Sequence, residues 1–585
     1  MKLSDYVVES LAEHGITHIF EVCGGALAHL LDSVYGRTDI TTVSMHHEMA
    51  AAIAAEGYAR ASENFGVAMA TSGPGATNLI TGIGSCYFDS IPCLYITGQV
   101  NTNEYKFDNP VRQIGFQETD IVSIIKPIVK KAVMVKDAED IRHTLDEVYP
   151  LMKSGRPGPV LLDLPLNIQR ADVDISSLES YTEEPAELTL PTDAVNHICS
   201  LIQTSTRPVI LVGGGVRSSH ACEEIRRFAH KTRIPVVTSL MGLDAFPHDD
   251  PLFAGMIGTY GNRSANLAIA NADVVIALGT RLDTRQTGTR PETFARRATI
   301  VHVDIDPHEL NNKIKGTFAI HADIRQFLKS ILQHPDIARI PAKNAPWLEK
   351  IAHYRQSYPD FKNPVIPEID PNYFMHVLSD ILRDDAIVCV DVGQIQMWAA
   401  QSLVIKKAQR FLTEGGMASI GSALPMAIGA AFAQPKKQII AITGDGGFQL
   451  NIQELQTVYH HHLPIKIILI NNNGYGMIKQ FQEQYLNCRF QSSGIGYSNP
   501  DFQEVVSAYK IPSMKISSHD EIVPALKRFL SNMSPGFLEI VIDDKSRALP
   551  KLSVNRPVED QEPLLPRDEL KSNMFIETLP EPEKL

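Results

Sequence analysis

Short runs of β-branched and apolar residues recur along the chain and alternate with stretches whose apolar residues are spaced three to four apart. The clearest pair of runs covers residues 438–443 and 465–470, and residues 451–461 between them have helical spacing. Two strands joined by a helical crossover run parallel in one sheet. We therefore predict a parallel sheet with helices on its faces.

The same alternation divides the chain into three blocks, residues 1–170, 190–335 and 370–545. Further strand-like runs are found at residues 41–44, 67–71, 93–97, 208–212, 234–238, 272–278, 299–304 and 318–321. We predict an α/β protein with three doubly wound, mostly parallel-sheet domains. In the first block, Ser4 is predicted to cap the N-terminus of a helix that ends at Gly15.

Three segments lack this alternation. Residues 171–191 and 334–371 are rich in proline and charge and are interpreted as linkers between the blocks. Residues 546–585 contain proline, glutamate and lysine with few apolar positions, which indicates an irregular tail over the surface or over a site.

Composition agrees with a globular enzyme and excludes several other classes. At about 150 residues per domain, 585 residues correspond to three or four domains. The net charge is −13 and no basic stripe is present, so we expect no nucleic-acid partner. The seven cysteines are scattered without a C-x-x-C pair, which favours a reducing cytoplasm. The chain shows no signal-peptide pattern and no apolar run of about 18 residues, so we expect no membrane association.

Glycine and oxygen-bearing side chains follow both strands of the first pair. Gly444, Asp445, Gly446 and Gly447 follow one strand, and residues 471–474 (Asn-Asn-Asn-Gly) follow the other. Parallel strands end at the same edge of a sheet, where ligands bind in doubly wound folds. An Asp and an Asn there offer hard oxygen ligands to a small divalent cation, and glycine lets the backbone approach a phosphate. Two tight turns in a buried strand–helix–strand unit are the alternative interpretation.

This pairing resembles the diphosphate–magnesium motif of thiamine-diphosphate enzymes. The resemblance implies that Asp445, the Asn472 side chain and the Gly474 carbonyl coordinate Mg²⁺. It also assigns Met477, just after the Asn run, and the glycines around Asp445 to the cofactor site.

Glu48 follows a strand and opens an alanine-rich helix. An acid in the first turn of a helix is favoured by the helix dipole, which explains Glu48 without any function. The context, however, resembles the pyrimidine-binding domain of acetolactate synthase-type enzymes. In that family the matching Glu hydrogen-bonds the aminopyrimidine ring and promotes removal of a proton from the thiazolium carbon.

Other motifs extend the resemblance over roughly residues 1–545. They are residues 71–78, 87–92, 98–100, 116–120, 155–163, 391–398 and 415–416. The resemblance places Thr71, Asn78 and the catalytic candidate Gln117 near the cofactor ring or substrate. It places Gly393, Gln394 and Gly416 near the diphosphate and thiazolium. The Met with which the family braces the bent cofactor is Ile420 here, which is still bulky enough for that packing role.

The middle block has its own nucleotide-binding pattern. Gly213 and Gly214 follow one predicted strand, Arg281, Asp283 and Arg285 follow another, and Asp304 ends a third, where a carboxylate can hold a ribose hydroxyl. These positions match the FAD-binding residues of biosynthetic acetolactate synthases, so we predict a bound FAD with a mainly structural role. A Rossmann-like domain without a ligand is the alternative.

Two other features invite chemistry that we do not expect. Residues 460–462 are three consecutive histidines, which point in different directions on a helix and cannot easily share one metal ion. Cys23 lies in a glycine-rich strand end; we interpret it as a small packed side chain rather than a catalytic thiol.

The sequence departs from the family at several positions, of which Phe481 and Ile395 bear on the choice of acceptor substrate. Cys23 stands where the family usually has Pro, and Glu21 stands where it usually has Gly. The Gln-His-Gln motif of the biosynthetic enzymes has Ile395 in place of its His, and the Trp of their acceptor pocket is replaced by Phe481. We predict a carboligase that decarboxylates a 2-keto acid, with pyruvate as donor, and forms acetolactate when pyruvate is also the acceptor. A keto-sugar acceptor, simple decarboxylation, or a non-catalytic FAD-binding protein are the rivals. The resemblance implies at least a homodimer, and a dimer of dimers, because sites in this family form between subunits.

Overall fold

Each of the three blocks folds around its own six-stranded sheet, whose paired strands all run parallel. The computed structural model describes residues 1–182, 188, 190–339, 344–361 and 367–580. The prediction of an α/β protein with three doubly wound sheets is confirmed, and the sheets are entirely rather than mostly parallel.

The first sheet consists of β1 (His18–Val22), β2 (Thr41–Ser44), β3 (Gly66–Ala70), β4 (Cys93–Gln99), β5 (Lys131–Met134) and β6 (Val160–Pro165), in the order β2-β1-β3-β4-β6-β5. Its helices are α1 (Leu3–Glu13), α2 (Ala28–Val34), α3 (Glu48–Ser62), α4 (Pro74–Asn78), α5 (Ile80–Asp89), α6 (Ile121–Ile125), α7 (Ile141–Lys153) and α8 (Leu166–Gln169).

The second sheet consists of β7 (Pro208–Val212), β8 (Val236–Thr238), β9 (Phe253–Met256), β10 (Val274–Leu278), β11 (Thr299–Asp304) and β12 (Phe318–His321), in the order β12-β11-β10-β7-β8-β9. Around it lie α9 (Thr192–Thr204), α10 (Gly214–Ser218), α11 (Cys222–Thr232), α12 (Arg263–Asn271), α13 (Thr284–Thr287), α14 (Ile324–Gln333) and α15 (Ala345–Ser357). This order is that of a dinucleotide-binding fold, with its crevice between β7 and β10.

The third sheet consists of β13 (Ile387–Val390), β14 (Arg410–Leu412), β15 (Ile439–Gly444), β16 (Ile465–Asn471), β17 (Ser513–Ile516) and β18 (Gly536–Val541), in the order β14-β13-β15-β16-β18-β17. Its helices are α16 (Pro371–Ile381), α17 (Gln394–Ser402), α18 (Ala423–Ala433), α19 (Asp445–Leu450), α20 (Leu455–His460), α21 (Gly476–Tyr485), α22 (Phe502–Ala508) and α23 (Ile522–Phe529). The first and third sheets have the same strand order, so each has its ligand crevice where that order reverses, between β1 and β3 in the first sheet and between β13 and β15 in the third.

Helices α3 and α18 join the first and third domains through their backbones. A Cβ on Gly429 would lie 1.8 Å from the Ala54 carbonyl oxygen, and a Cβ on Gly57 would lie 2.1 Å from that of Met426. Only glycine permits this approach. One continuous apolar core therefore contains residues of both domains.

Several predicted elements differ from the structure. The crossover after β15 begins as α19 at Asp445, not at residue 451, although two of the first three residues of this helix are glycines. Helix α1 begins before Ser4, which is buried and does not cap it, whereas Gly15 follows its end with a φ of +78° as expected. The predicted second linker contains α15, whose Trp347, Ile351 and Tyr354 are buried in the core of the central domain.

The C-terminal stretch is more ordered than predicted. It contains α24 (Arg567–Asn573), and Leu552, Val558 and Leu570 are buried in the core of the central domain. Part of the first predicted linker (183–187 and 189) and the last five residues lie outside the described residues. No helix in the described ranges combines the length and apolarity needed to cross a bilayer.

Candidate active site

Asp445 is a buried carboxylate at the crevice of the third sheet. It starts α19 directly after β15 and is 2% exposed. Its Oδ2 accepts hydrogen bonds from the Gly474 amide at 2.9 Å and from Asn499 Nδ2 at 3.0 Å. Burial raises the pKa of Asp445, while hydrogen bonds from Asn499, Gly474 and Tyr497 favour the charged form. The predicted ligands Asp445 and Gly474 are thus brought together.

Asn472 lies at the end of the neighbouring strand and is also buried. Its Nδ2 donates to Gln394 Oε1 at 3.0 Å, which leaves the amide oxygen to act as a ligand. Gln394 Nε2 in turn donates to Gln480 Oε1 at 3.0 Å and to the Ser546 carbonyl at 3.2 Å. The side chain of Gln394, predicted to bind cofactor, therefore orients Asn472.

The glycines of this crevice serve two purposes. Gly393 has a φ of +121° and no atom within 4 Å of a Cβ position, so it faces open space, and a Cβ on Gly444 would make only an ordinary van der Waals contact, 3.8 Å from the Ile395 side chain. Gly446 and Gly447 are instead packed: a Cβ would lie 2.5 Å from the Tyr475 ring and 2.4 Å from Asp391 Oδ2, respectively. The open glycines beside two oxygen ligands fit a diphosphate and a divalent cation.

A second cluster forms at the crevice of the first sheet. Glu48 begins α3, and its Oε2 accepts a hydrogen bond from Asn78 Nδ2 at 2.9 Å. A Cβ on Gly75 would contact both Glu48 Oε1 and Thr71, at 3.3 Å and 2.9 Å, so these residues surround one small glycine. Gln117 has a left-handed φ of +63° and lies against Gly73. The four residues predicted for the cofactor ring or substrate therefore lie at one edge of the sheet.

Within the described part of one chain, the Glu48 cluster and the Asp445 cluster share no hydrogen bond or ion pair, although the His46 amide, two residues before Glu48, donates to Glu454 of the third domain at 3.0 Å. No hydrogen bond or ion pair between described residues joins Glu48, Thr71, Asn78 or Gln117 to the third domain. Beside the first cluster, Phe116 is 86% exposed, and Phe107, Val111 and Ile114 of the same loop are exposed as well. Such a grouping of exposed apolar side chains indicates an interaction surface.

A cavity of about 590 Å³ lies at the crevice of the second sheet and extends to both other domains. Its size is typical of a cofactor pocket. Gly214, Arg281, Asp283, Arg285, Asp304 and Gly416 line it, together with Arg156, Gln396 and Met397. All of the predicted FAD positions except Gly213 thus share one cavity, and Gly416 joins them.

Two of the predicted FAD positions, Gly213 and Asp283, have a role in the local structure. Gly213 does not line the cavity; a Cβ there would lie 2.1 Å from the Gly279 carbonyl oxygen, so it permits two loops to cross. Asp283 caps α13 by accepting from the Arg285 and Gln286 amides at 2.8 and 3.3 Å. Burial raises the pKa of Asp304, which lies at the end of β11.

Several organising residues were missed by sequence reasoning. Asp391 is fully buried after β13 and accepts hydrogen bonds from the Val392, Gly421 and Ser422 amides and the Thr443 hydroxyl. Burial raises the pKa of Asp391 to about 6. It fixes the turn that presents Ile420, which is half-buried. Asp391 begins the motif at residues 391–398, which the sequence showed, but the groups that donate hydrogen bonds to its carboxylate could not be read from the sequence.

Asp89 of the first domain holds a loop of the third. Its two carboxylate oxygens accept from the Gly415 and Gly416 amides at 2.9 and 2.8 Å, and Arg60 Nη2 lies 3.1 Å from Oδ2. Arg60 also binds Glu56 at 2.8 Å. The loop beside the cofactor cavity is therefore positioned from another domain.

The other candidates from the sequence lie apart from these clusters. The rings of His460 and His461 are nearly perpendicular to each other. Cys23 is exposed, which contradicts the prediction of a packed thiol. Phe481 is 50% exposed on α21, and Met477 in the first turn of that helix receives a hydrogen bond from Tyr260.

Comparison with known proteins places all three domains in one class. Residues 1–124 match the N-terminal TPP binding domain of thiamine pyrophosphate enzymes, residues 195–331 the central domain, and residues 391–540 the C-terminal TPP binding domain. The first range contains the Glu48 cluster, the second contains the sheet whose crevice opens into the large cavity, and the third contains the Asp445 cluster.

Full-length relatives narrow this class. The chain is 39% identical over 568 residues to a probable acetolactate synthase large subunit of Methanocaldococcus jannaschii, covering 94% of this chain and 93% of that protein. It is 35% identical over 550 residues to the acetolactate synthase isozyme 2 large subunit of Escherichia coli, and the match covers 94% of this chain and 97% of that protein. A chloroplastic acetolactate synthase 2 of Nicotiana tabacum is 37% identical, and that match covers 94% of this chain and 83% of the tobacco protein. The chain belongs to the thiamine pyrophosphate enzyme family, as an acetolactate synthase-like member. The predicted fold class, family and enzymatic nature are confirmed.

Proposed function

We propose that the enzyme decarboxylates a 2-keto acid, with pyruvate as donor, and transfers the two-carbon acetyl unit to a second carbonyl compound. The observation that carries this proposal is the pair of buried oxygen ligands, Asp445 and Asn472, at adjacent strand ends. Both belong to the domain that matches a TPP binding domain. With pyruvate as acceptor the product is acetolactate.

Asp445, Asn472 and the Gly474 carbonyl would hold Mg²⁺, which prefers six oxygen ligands. Gly393 and Gly444, with Gly446 and Gly447 behind them, would leave room for the diphosphate. When bound, thiamine diphosphate supplies the carbanion-stabilising chemistry that protein side chains lack.

Glu48 would hold the proton that activates the cofactor ring. Asn78 fixes Oε2 of Glu48, so Oε1 remains to hydrogen-bond a ring nitrogen. Thr71 and Gln117 lie at the same edge, where they can orient the ring or the substrate. A positioned carboxyl group of this kind contributes about 10²–10⁴-fold to a rate.

Two copies of the chain would be needed for one complete site. The lack of a hydrogen bond or ion pair between the Glu48 and Asp445 clusters among the described residues, and the exposed apolar loop around Phe116, both support a homodimer whose sites form between chains. A dimer of dimers would repeat this arrangement. Because relatives are named large subunits, a smaller regulatory partner is a further expectation. All seven cysteines are free, which supports a reducing compartment such as the cytoplasm.

FAD is the proposed occupant of the large cavity, with a structural role. We expect the purified protein to show the visible absorbance of a flavin. An Arg281→Ala, Arg285→Ala double variant should lose most of it, since both arginines line the cavity. Flavin released per subunit after denaturation is the measurement. Arg296→Ala, which breaks an ion pair with Glu559, is the matched control and should retain flavin. A colourless, fully active wild-type protein would contradict this assignment.

Product analysis tests the reaction itself. The protein is incubated with pyruvate, Mg²⁺ and thiamine diphosphate, and carbon products are identified by NMR. Acetolactate is the expected product. Acetaldehyde alone would indicate a decarboxylase, and CO₂ release only after a keto-sugar is added would indicate another acceptor. Phe481 and Ile395, which differ from the family, are the observations that favour this second candidate.

A further inference from the structure

One amide side chain connects three parts of the proposed metal site. Asn499 Nδ2 lies 3.0 Å from Asp445 Oδ2, 3.1 Å from Asn471 Oδ1 and 3.4 Å from Asn473 Oδ1. Its own oxygen accepts a hydrogen bond from Gln449 Nε2 at 3.2 Å. Asn499 therefore touches α19, the end of β16 and the turn after it.

We propose that Asn499 is a positioning residue of the Mg²⁺ site, which it organises without ligating the cation. This inference rests on the proposed function. It assigns Asn499 two tasks: orienting the Asp445 carboxylate and fixing the turn that presents Gly474.

The first task concerns the direction of the carboxylate. A free Asp side chain rotates, whereas Mg²⁺ requires near-ideal octahedral geometry at about 2.1 Å from each oxygen. The Gly474 amide and Asn499 Nδ2 converge on Oδ2, and two donors from different directions fix the plane of the carboxylate. The direction of its other oxygen is fixed as a consequence.

The second task concerns the turn between β16 and α21. Asn473 has a left-handed φ of +51°, its amide binds Asn471 Oδ1 at 3.0 Å, and its carbonyl accepts from Lys479 Nζ at 3.0 Å. Asn499 Nδ2 has two N–H bonds, and its two shorter contacts are to Asp445 Oδ2 at 3.0 Å and Asn471 Oδ1 at 3.1 Å. Asn473 Oδ1 lies 3.4 Å away and shares one of these hydrogens, so Asn499 lies between the two ends of this bend. The bend in turn brings the Gly474 amide to Asp445.

Neighbouring residues strengthen this arrangement. Gln449 Nε2 also reaches the Asp445 carbonyl at 3.2 Å and the Tyr497 hydroxyl at 3.4 Å. Outer-shell hydrogen bonds to metal ligands of this kind change metal affinity by about 10–100-fold when they are removed. Asn499 is half-buried and lies outside regular secondary structure, so its replacement should disturb the site more than the fold.

The test measures the Mg²⁺ concentration at which the full-length protein retains half of its thiamine diphosphate in equilibrium dialysis. Asn499→Leu has a similar volume but no donor, and should raise this midpoint about 10–100-fold. Asn499→Ser, a smaller change, should raise it as well. Asn499→Gln keeps the amide group and should recover part of the affinity. Thermal unfolding without Mg²⁺ should stay close to that of the wild type for all three.

Asn344→Leu is the matched control, because Asn344 is a buried amide of the central domain that donates to the Thr232 carbonyl. It should lower thermal stability without changing the Mg²⁺ midpoint. An unchanged midpoint in folded Asn499→Leu or Asn499→Ser would overturn the positioning role while leaving the proposed function intact. If the wild type itself retained thiamine diphosphate without Mg²⁺, the proposed Mg²⁺ site and this inference would both fail, whereas the proposed reaction is tested separately by the product analysis.

Discussion

Replacing Asp445 by alanine is expected to abolish Mg²⁺-dependent retention of thiamine diphosphate. The change removes a buried oxygen at the point where two strand ends meet, and no other carboxylate is among the proposed ligands to replace it. The loss of Mg²⁺ affinity should exceed the roughly 100-fold that outer-shell changes produce. Equilibrium dialysis with titrated Mg²⁺ measures it, and treatment of the wild type with a chelator should reproduce the loss.

Asp501→Ala provides the matched control for this experiment. Asp501 caps α22 by accepting the Gln503 and Glu504 amides, two residues beyond Asn499. Removing that cap should cost about 1 kcal/mol of stability and leave cofactor retention unchanged. Normal retention in the Asp445→Ala variant after chelation and dialysis would refute the metal assignment.

Replacing Glu48 by glutamine is expected to lower kcat by about 10²–10⁴-fold while thiamine diphosphate stays bound. Glutamine has the same size and can still bond Asn78, but it cannot hold and release the proton. Steady-state kinetics and the amount of bound cofactor are measured on the same preparation. Glu9→Gln, on the surface of α1, should leave both unchanged. Unimpaired turnover in Glu48→Gln would reject the proton-holding role.

Mixing the two inactive variants tests whether sites form between chains. If Glu48 of one chain faces Asp445 of the other, a mixed dimer of Glu48→Gln and Asp445→Ala has one intact site and one site lacking both groups. Random assembly makes half of the dimers mixed, so about a quarter of wild-type activity should return (one half of the dimers times one half of the sites). No recovery would place both groups of a site on one chain.

The sequence predicted strands well where β-branched runs are uninterrupted. Thr299–Asp304 and Pro208–Val212 were predicted with their observed bounds. The strand before Cys23 was predicted without bounds, because Glu21 interrupts the apolar run of β1. Glu21 is nevertheless buried; burial raises the pKa of this carboxyl, which accepts a hydrogen bond from Ser44. The helical spacing of Trp347, Ile351 and Tyr354 could have revealed α15, but flanking prolines suggested a linker.

The sequence predicted the proposed metal ligands of the candidate site but not the hydrogen bonds that hold the surrounding residues in place. Asp445 and Asn472 follow recognisable strands, so their meeting at one edge follows from the parallel topology. Asn499 is 54 positions from Asp445 along the chain, and Asp89 is more than 300 from the loop it holds. Hydrogen bonds over such separations depend on the tertiary fold, which spacing alone cannot give.

The joined core of the first and third domains has a consequence for biosynthesis. Helix α3 leaves the ribosome long before α18, the helix whose backbone it must touch at Gly57 and Gly429. Until α18 has been translated, the apolar face of α3 has no partner and is exposed to other nascent chains. We therefore expect chaperone dependence to end only when the third sheet has been synthesised, even though the first sheet is complete much earlier.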